Sequence, residues 1–365
     1  MRIILPLILL CSCGGTRPPT QVQLQSLGDA APRLPAPEAG VYATHLTAPS
    51  DPLVSTVLGD IPWEESLSGA AGALGVELAG GRPTDAWVIR WAALRAGYPF
   101  PIDEFSYERV AEGAVSQSIL EILQQTAQPH DHAGLVRVRG GQGDYWVGLV
   151  SHPRIELQPV PRALPLGGEL ELVCTSSDVL QLSLVSPSGH LELSDLRQGR
   201  SIALDEEGEH WVEIRDSVGV AAAFSVYVGE MDDLTAPLPQ TTHIAADPYS
   251  LELDTWDLLD EVRAFYGWET PAEDPILGPV ARAHLDDHMG YEGPASGAFR
   301  GEPGSCRASM SCGLVVGDGV EACFHQWLVD PSARAALVDP RCDVAGVATD
   351  ERDDRVWVQL ELGQE

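Results

Sequence analysis

The stretch that decides the fold is the last third of the chain. It reads Leu258-Leu-Asp-Glu-Val-Arg-Ala-Phe-Tyr266, then Gly278-Pro-Val-Ala-Arg-Ala-His-Leu-Asp-Asp-His-Met289, then Val320-Glu-Ala-Cys-Phe-His-Gln-Trp-Leu328 running into Asp330-Pro-Ser-Ala-Arg-Ala-Ala-Leu-Val-Asp-Pro340. It closes with Val344-Ala-Gly-Val-Ala348 and Arg355-Val-Trp-Val-Gln-Leu360. The first pieces carry apolar residues at helical spacing among charges, which predicts helices. The last two, separated by the polar Thr349 to Asp354, predict a strand pair.

Within these pieces the residues form a recognisable series. Asp260-Glu-Val-Arg263 lies on the first helix, and His284 and Asp287 on the second. Trp327-Leu-Val-Asp-Pro331 leads into Arg334-Ala-Ala-Leu337, and Val344-Ala-Gly-Val-Ala348 begins the strand pair. In this order they resemble the CAP superfamily (cysteine-rich secretory, SCP-like and pathogenesis-related proteins) in its bacterial form. The resemblance covers about a third of the chain and implies an α-β-α sandwich from 251 to 365. It also implies a cavity with two His and two acidic residues. The matching positions here lack both His and one acidic residue. Pro294-Ala-Ser-Gly297 has no His, Ala333 stands where Pro-x-His-Arg has its His, and Ser311-Cys-Gly-Leu-Val-Val316 has no Glu. Imidazole both binds zinc and titrates near neutrality, and Ala does neither. The resemblance therefore implies a scaffold without its usual cavity chemistry.

Another constellation on the second helix offers a substitute. His284 and His288 are four residues apart and share a face, with Asp287 beside them, the spacing of helical zinc sites. The catalytic version has Glu directly after the first His, and here that residue is Leu285. Structural or solvent-facing histidines are the preferred reading, and no cofactor is expected. His325 reads as a surface residue, His130-Asp-His132 as a chance cluster, and Asp350-Glu-Arg-Asp-Asp354 as a charged turn. The chain has no Gly-x-Ser-x-Gly elbow, and Gly140-Gly141-Gln142-Gly143 leads into a strand rather than the helix that a phosphate loop needs.

Upstream, residues 231–250 are rich in Pro and Thr and read as a linker. Residues 153–230 hold short alternating runs, among them Leu180-Gln-Leu-Ser-Leu-Val185 and His210-Trp-Val-Glu-Ile-Arg215, separated by turn formers. That spacing predicts an antiparallel β-sandwich, immunoglobulin-like in outline. Residues 51–152 mix helix and strand. Helices are expected over Trp63–Leu78, Asp85–Leu94 and Tyr107–Gln125, and a hairpin over Gly134–Arg139 and Tyr145–Val150. This hairpin parallels the one at the chain's end, with Gly134 and Trp146 answering Gly346 and Trp357. The parallel raises a second, eroded unit of the same kind, although a plain α+β domain is the preferred reading.

At the N-terminus, Met1-Arg2 and the short apolar run Ile3–Leu10 form an export signal too short to span a bilayer. Leu10-Cys11-Ser12-Cys13 resembles a bacterial lipobox with Cys13 as the acylated residue, so the expected partner is a membrane reached through that lipid. Residues 14–50, with five prolines between Pro18 and Pro37, read as an extended tether. Export favours pairing among Cys306, Cys312, Cys323 and Cys342. Of the three connectivities, Cys306–Cys312 with Cys323–Cys342 is expected, leaving Cys174 as a buried thiol. The 365 residues carry 54 acidic and 22 basic side chains, net −32, without a lysine. Such a charge argues against nucleic acid as a partner. The sequence thus predicts a multi-domain α+β cell-envelope lipoprotein. It acts as a non-catalytic binding or structural module for an unidentified protein, glycan or lipid, with a metal-dependent hydrolase using His284 and His288 as the alternative.

Overall fold

The computed structural model describes residues 40–42, 63–81, 86–128, 131–176, 178–197, 199–229, 248–289, 297–300, 306–315, 320–352 and 355–364. Cys11, Cys13, the tether apart from 40–42 and the linker before 248 lie outside them. The described chain contains both α-helices and β-strands.

Its first region begins with β1 (Val41–Tyr42) and α1 (Glu65–Ala79). Glu64 caps α1, its carboxylate accepting the Leu67 N–H at 2.6 Å, which satisfies a free donor of the first turn. α2 (Ala86–Arg95), β2 (Glu104–Val110), α3 (Gln117–Thr126), β3 (His132–Gly140) and β4 (Gly143–Ser151) follow. The helix expected over Tyr107–Gln125 is in fact two elements. Tyr107–Val110 end β2, paired in register with Asp144–Val147 of β4. The chain then turns, and Ser116 caps α3 through its hydroxyl. The three strands form an antiparallel sheet in the order β2-β4-β3. Val147 and Leu149 of β4 pack with Leu67 and Leu74 of α1. Trp146 and Val150 point the other way, to Ile119, Leu120 and Leu123 of α3. The period of two puts a helix on each face.

The middle region is built of short strands: β5 (Glu156–Leu157), β6 (Val160–Pro161), β7 (Ala163–Leu164), β8 (Glu169–Leu172) and β9 (Cys174–Thr175), then β10 (Leu180–Val185), β11 (Leu191–Leu196), β12 (Arg200–Ala203), β13 (Gly208–Arg215) and β14 (Val220–Val228). One sheet runs β11-β10-β13-β14-β7, and β12 pairs separately with β8. Leu170, Leu172 and Ile202 of that pair share a core with Val212, Ile214 and Phe224 of the larger sheet. The same core continues into α1 and α2 through Leu67, Leu74 and Ala92. Hydrophobic packing is therefore continuous across residues 152 and 153.

The last region comprises α4 (Pro248–Phe265), β15 (Ala272–Glu273), α5 (Leu277–Met289), β16 (Gly297–Arg300), β17 (Ala308–Val315), α6 (Glu321–Val329), α7 (Pro331–Leu337), β18 (Val344–Arg352) and β19 (Arg355–Gly363). α4 starts well before the expected Leu258. The sheet order is β15-β18-β19-β17-β16. Val358, Leu360 and Leu362 of β19 face α4, α6 and α7 in one core. Trp357 faces Ala281 and Leu285 of α5 on the other side. That first core also takes in Val185, Trp211 and Ala223 of the middle sheet.

Both disulfides lie here, in a connectivity other than the expected one. Cys306 pairs with Cys342, Cα atoms 5.2 Å apart, and Cys312 with Cys323, 5.6 Å apart. Cys312 of β17 shares the α6-facing core with Cys323, so the partner in space is across the layer rather than next in sequence. Cys174 is buried, and burial pushes its thiol up to about 11. No helix among the described residues is long and apolar enough to cross a membrane.

The first and last regions repeat one plan. Trp63 bridges Ala133 in parallel just before α1, and β15 pairs in parallel with Val344 and Ala345 just before α5. A β-carbon on Gly134 would run into the backbone of Leu67, and one on Gly346 into the backbone of Leu277. Only glycine lets helix and strand approach so closely. Gly134 pairs with Leu149 and Gly346 with Glu361. Phe105 pairs with Leu149 from the other side, as Ser309 does with Glu361. In this register Tyr145, not Trp146, answers Trp357, so the two tryptophans face opposite sides of their sheets.

Candidate functional site

Alternation along β19 builds a polar site beneath α5. Trp357, Gln359 and Glu361 share the face opposite the apolar core, and Gln359 and Glu361 are both buried there. One oxygen of Glu361 accepts three donors. They are His284 Nδ1 at 2.7 Å, Ser309 Oγ at 2.7 Å and Gln359 Nε2 at 2.8 Å. Gln359 also donates to Ser309 Oγ at 2.8 Å. Ser309 Oγ stands 3.3 Å from His284 Nδ1. The His284 side chain is 43% exposed while Glu361 is 4% exposed, so the imidazole covers the carboxylate from the solvent side. Charge-assisted bonds of this kind are the stronger ones.

The arrangement contains the residue types of a Ser-His-Glu relay in a different order. A relay needs the carboxylate on one imidazole nitrogen and the hydroxyl on the other. Here serine and glutamate both meet the Nδ1 side, and the serine proton goes to the carboxylate. The set ties helix to sheet, and its connectivity is not that of a relay.

His284 is thus brought to a cluster, but not the expected one. Asp287 is exposed on α5 and takes no part in the hydrogen bonds of the cluster. The His288 side chain lies outside the described residues. Among the described residues, Cys306, Asp339 and Cys342 lie close enough to hold a metal ion. Both cysteines are spent on their mutual disulfide, which leaves no thiolate ligand. Of the remaining histidines, His325 is buried rather than on the surface, and burial pushes it down to about 3. His132 meets the Tyr98 hydroxyl at 2.9 Å, whereas Asp131 pairs with His152 at 2.6 Å. The sequence reading missed Glu361, Gln359 and Ser309. The signal was present in Val356-Trp-Val-Gln-Leu-Glu361, where period two sets two polar residues on one face.

The positions resembling family scaffold residues hold the last region together. Arg263 donates to the carbonyls of Leu337, Asp339 and Cys342 at 2.7–3.2 Å. Ala333 is fully buried among apolar side chains. Arg334 reaches into the middle region, where it pairs with Glu209 of β13 and lies 4.7 Å over the Trp211 ring. Ser225, Tyr227 and Tyr266 donate to the same carboxylate at 2.5, 3.1 and 2.6 Å. Burial works to raise the Glu209 carboxyl, but Arg334 and the three hydroxyls outweigh it and hold it below the usual range.

No family model matches the chain, and no curated protein matches it. Among solved structures, it is similar to a cysteine-rich secretory protein from Staphylococcus aureus at 10% identity, covering 58% of this chain and 86% of that one, TM-score 0.25. An extracellular protein containing an SCP domain from Bacillus anthracis aligns at 13% identity over 72% and 78% of the chains, TM-score 0.24. A β-glucosidase from Listeria innocua aligns at 18% identity over 21% of this chain, TM-score 0.16, and the match spans only 16% of the enzyme's length. TM-scores this low do not establish a shared fold.

Proposed function

We propose that the chain is an exported, lipid-anchored envelope protein that acts as a non-catalytic binding or structural module. The observation that carries this reading is the order of the Glu361 cluster. Three donors converge on one carboxylate oxygen, and the serine hydroxyl is spent inside the cluster. The positions answering His284, Ser309, Gln359 and Glu361 in the first region are Leu74, Phe105, Val147 and Leu149. The two regions are read as copies of one CAP-like unit, the first filled with hydrocarbon and the second with a hydrogen-bonded set. Both solve the same packing problem between a helix and a sheet. The lipobox-like Cys13 supports surface display, and the two disulfides support an oxidising compartment.

Reaction with a fluorophosphonate probe, followed by intact mass and peptide mapping, tests the central part. The expected result is no adduct on Ser309. A stoichiometric Ser309 adduct, lost in His284→Ala, would show an activated serine and overturn the reading.

A further inference from the structure

The two helix-and-sheet units differ at one sheet edge. In the last region β16 pairs antiparallel with the outer side of β17, Gly297 opposite Ser311 and Arg300 opposite Ala308. Phe105 holds the position of Ser309 in the common register, so Glu104–Tyr107 of β2 answer Ala308–Ser311 of β17. β2 stands at the end of its sheet, and among the described residues no strand lies on its outer side.

The chain entering β2 explains the difference. It contains Pro99 and Pro101, which have no N–H to give to a ladder. Its carbonyls are taken up elsewhere. Pro99 accepts the Ala223 N–H of β14 at 2.9 Å, Arg90 donates to Pro99 and Phe100 at 3.3 and 2.6 Å, and the Ser151 hydroxyl donates to Pro101 at 2.6 Å. This segment is thus committed to other neighbours and does not fold back on β2 as β16 does on β17. A cleft of about 370 Å³ opens at the same end of β2, with Ile102, Glu104 and Phe105 beside Val220 of β14 and Val329 of α6 in its lining. The strand is uncovered further along, where Tyr107 is 50% exposed. An edge strand presents a row of unpaired backbone groups, and such an edge beside apolar pockets is how a sheet takes an added strand.

We propose that the Glu104–Tyr107 edge takes an extended peptide of a partner protein as an added antiparallel strand, with an apolar residue opposite Phe105 and a basic residue opposite Glu104. Residues directly opposite one another across a sheet interact, and opposite charges stabilise the pair. A basic partner also suits a chain of net charge −32 that has no lysine, whereas a second copy would be repelled. The far half of β2 is engaged by its own neighbours, Glu108 by Ser118 and Arg109 by Gln142, so the added strand is short, as four-residue β16 is. The contact gives the binding-module reading a class of partner and rests on that reading. It shares no residue with the Glu361 cluster, so failure of peptide binding and a Ser309 adduct are separate results.

Isothermal titration of the full chain with acetyl-Thr-Val-Thr-Phe-Arg-Val-amide tests the assignment, its Phe set opposite Phe105 and its Arg opposite Glu104. The expected result is one saturable site. Changing the peptide Arg to Glu weakens binding by about tenfold or more, and Glu104→Arg in the protein reverses that preference. Methylating the peptide nitrogens one at a time abolishes binding at alternate residues only, because every second N–H of an added strand faces the ladder. Sedimentation velocity without peptide gives a monomer. No saturable binding, equal binding of the Arg and Glu peptides, methylation effects without alternation, or a dimer broken by Glu104→Arg overturns the proposal. If Glu104→Arg does not fold, the two peptides and the methylated series on wild type decide alone.

Discussion

Arg334 shows how much one side chain carries. It leaves α7, stacks on Trp211 and ends on Glu209 in a pocket where both charges are more than nine-tenths buried. Such a pair is no source of stability in itself, because desolvation offsets the attraction. Breaking it is another matter, since the remaining carboxylate is left buried and uncompensated. Arg334→Met is therefore expected to cost about 3–5 kcal/mol in urea unfolding. Adding Glu209→Leu should recover much of that loss. A single variant as stable as wild type would show that Glu209 finds another cation. No local pattern signals this contact. Arg334 is legible only as a position on a helix, and Glu209 falls just outside the strand expected over His210–Arg215. Their meeting depends on how two regions dock, which no local pattern encodes.

At the scale of elements, the hairpins were the most legible parts. Leu-Val-Arg-Val and Val-Trp-Val-Gln-Leu are short β-branched and aromatic runs, and β3, β4, β18 and β19 fall where the hairpins are expected. Tyr107–Val110 misled because a short edge strand ran into a helix with too few residues to show a change of period. The disulfides misled for a different reason, since sequence spacing says nothing about which strand faces which helix. The Cys306–Cys342 bond closes a loop of 36 residues. On chain-entropy grounds, replacing both cysteines with Ala lowers stability by about 3–4 kcal/mol. Thermal denaturation under oxidising and reducing conditions checks this. Equal melting of wild type in both conditions would argue against the pairing.

At the scale of the whole molecule, two helix-and-sheet units flank a body of short strands, and the hydrophobic packing runs through all three. Of the Gly and Trp spacing in the hairpins, only the glycines correspond in the structure, since Trp146 is one residue out of step with Trp357. The common plan became clear only through the register, which pairs Gly134 with Leu149 and Gly346 with Glu361. That register sets a hydrocarbon filling in one unit against a polar filling in the other. The account holds that the polar filling is a tie between α5 and its sheet, with no catalytic role. The most direct test is turnover of peptide, ester and glycan substrates by the purified full chain, with zinc content measured on the same untagged sample. The account predicts no turnover above the uncatalysed rate, no stoichiometric zinc, and no difference between wild type and His284→Ala. Turnover that disappears in His284→Ala or Ser309→Ala would contradict it.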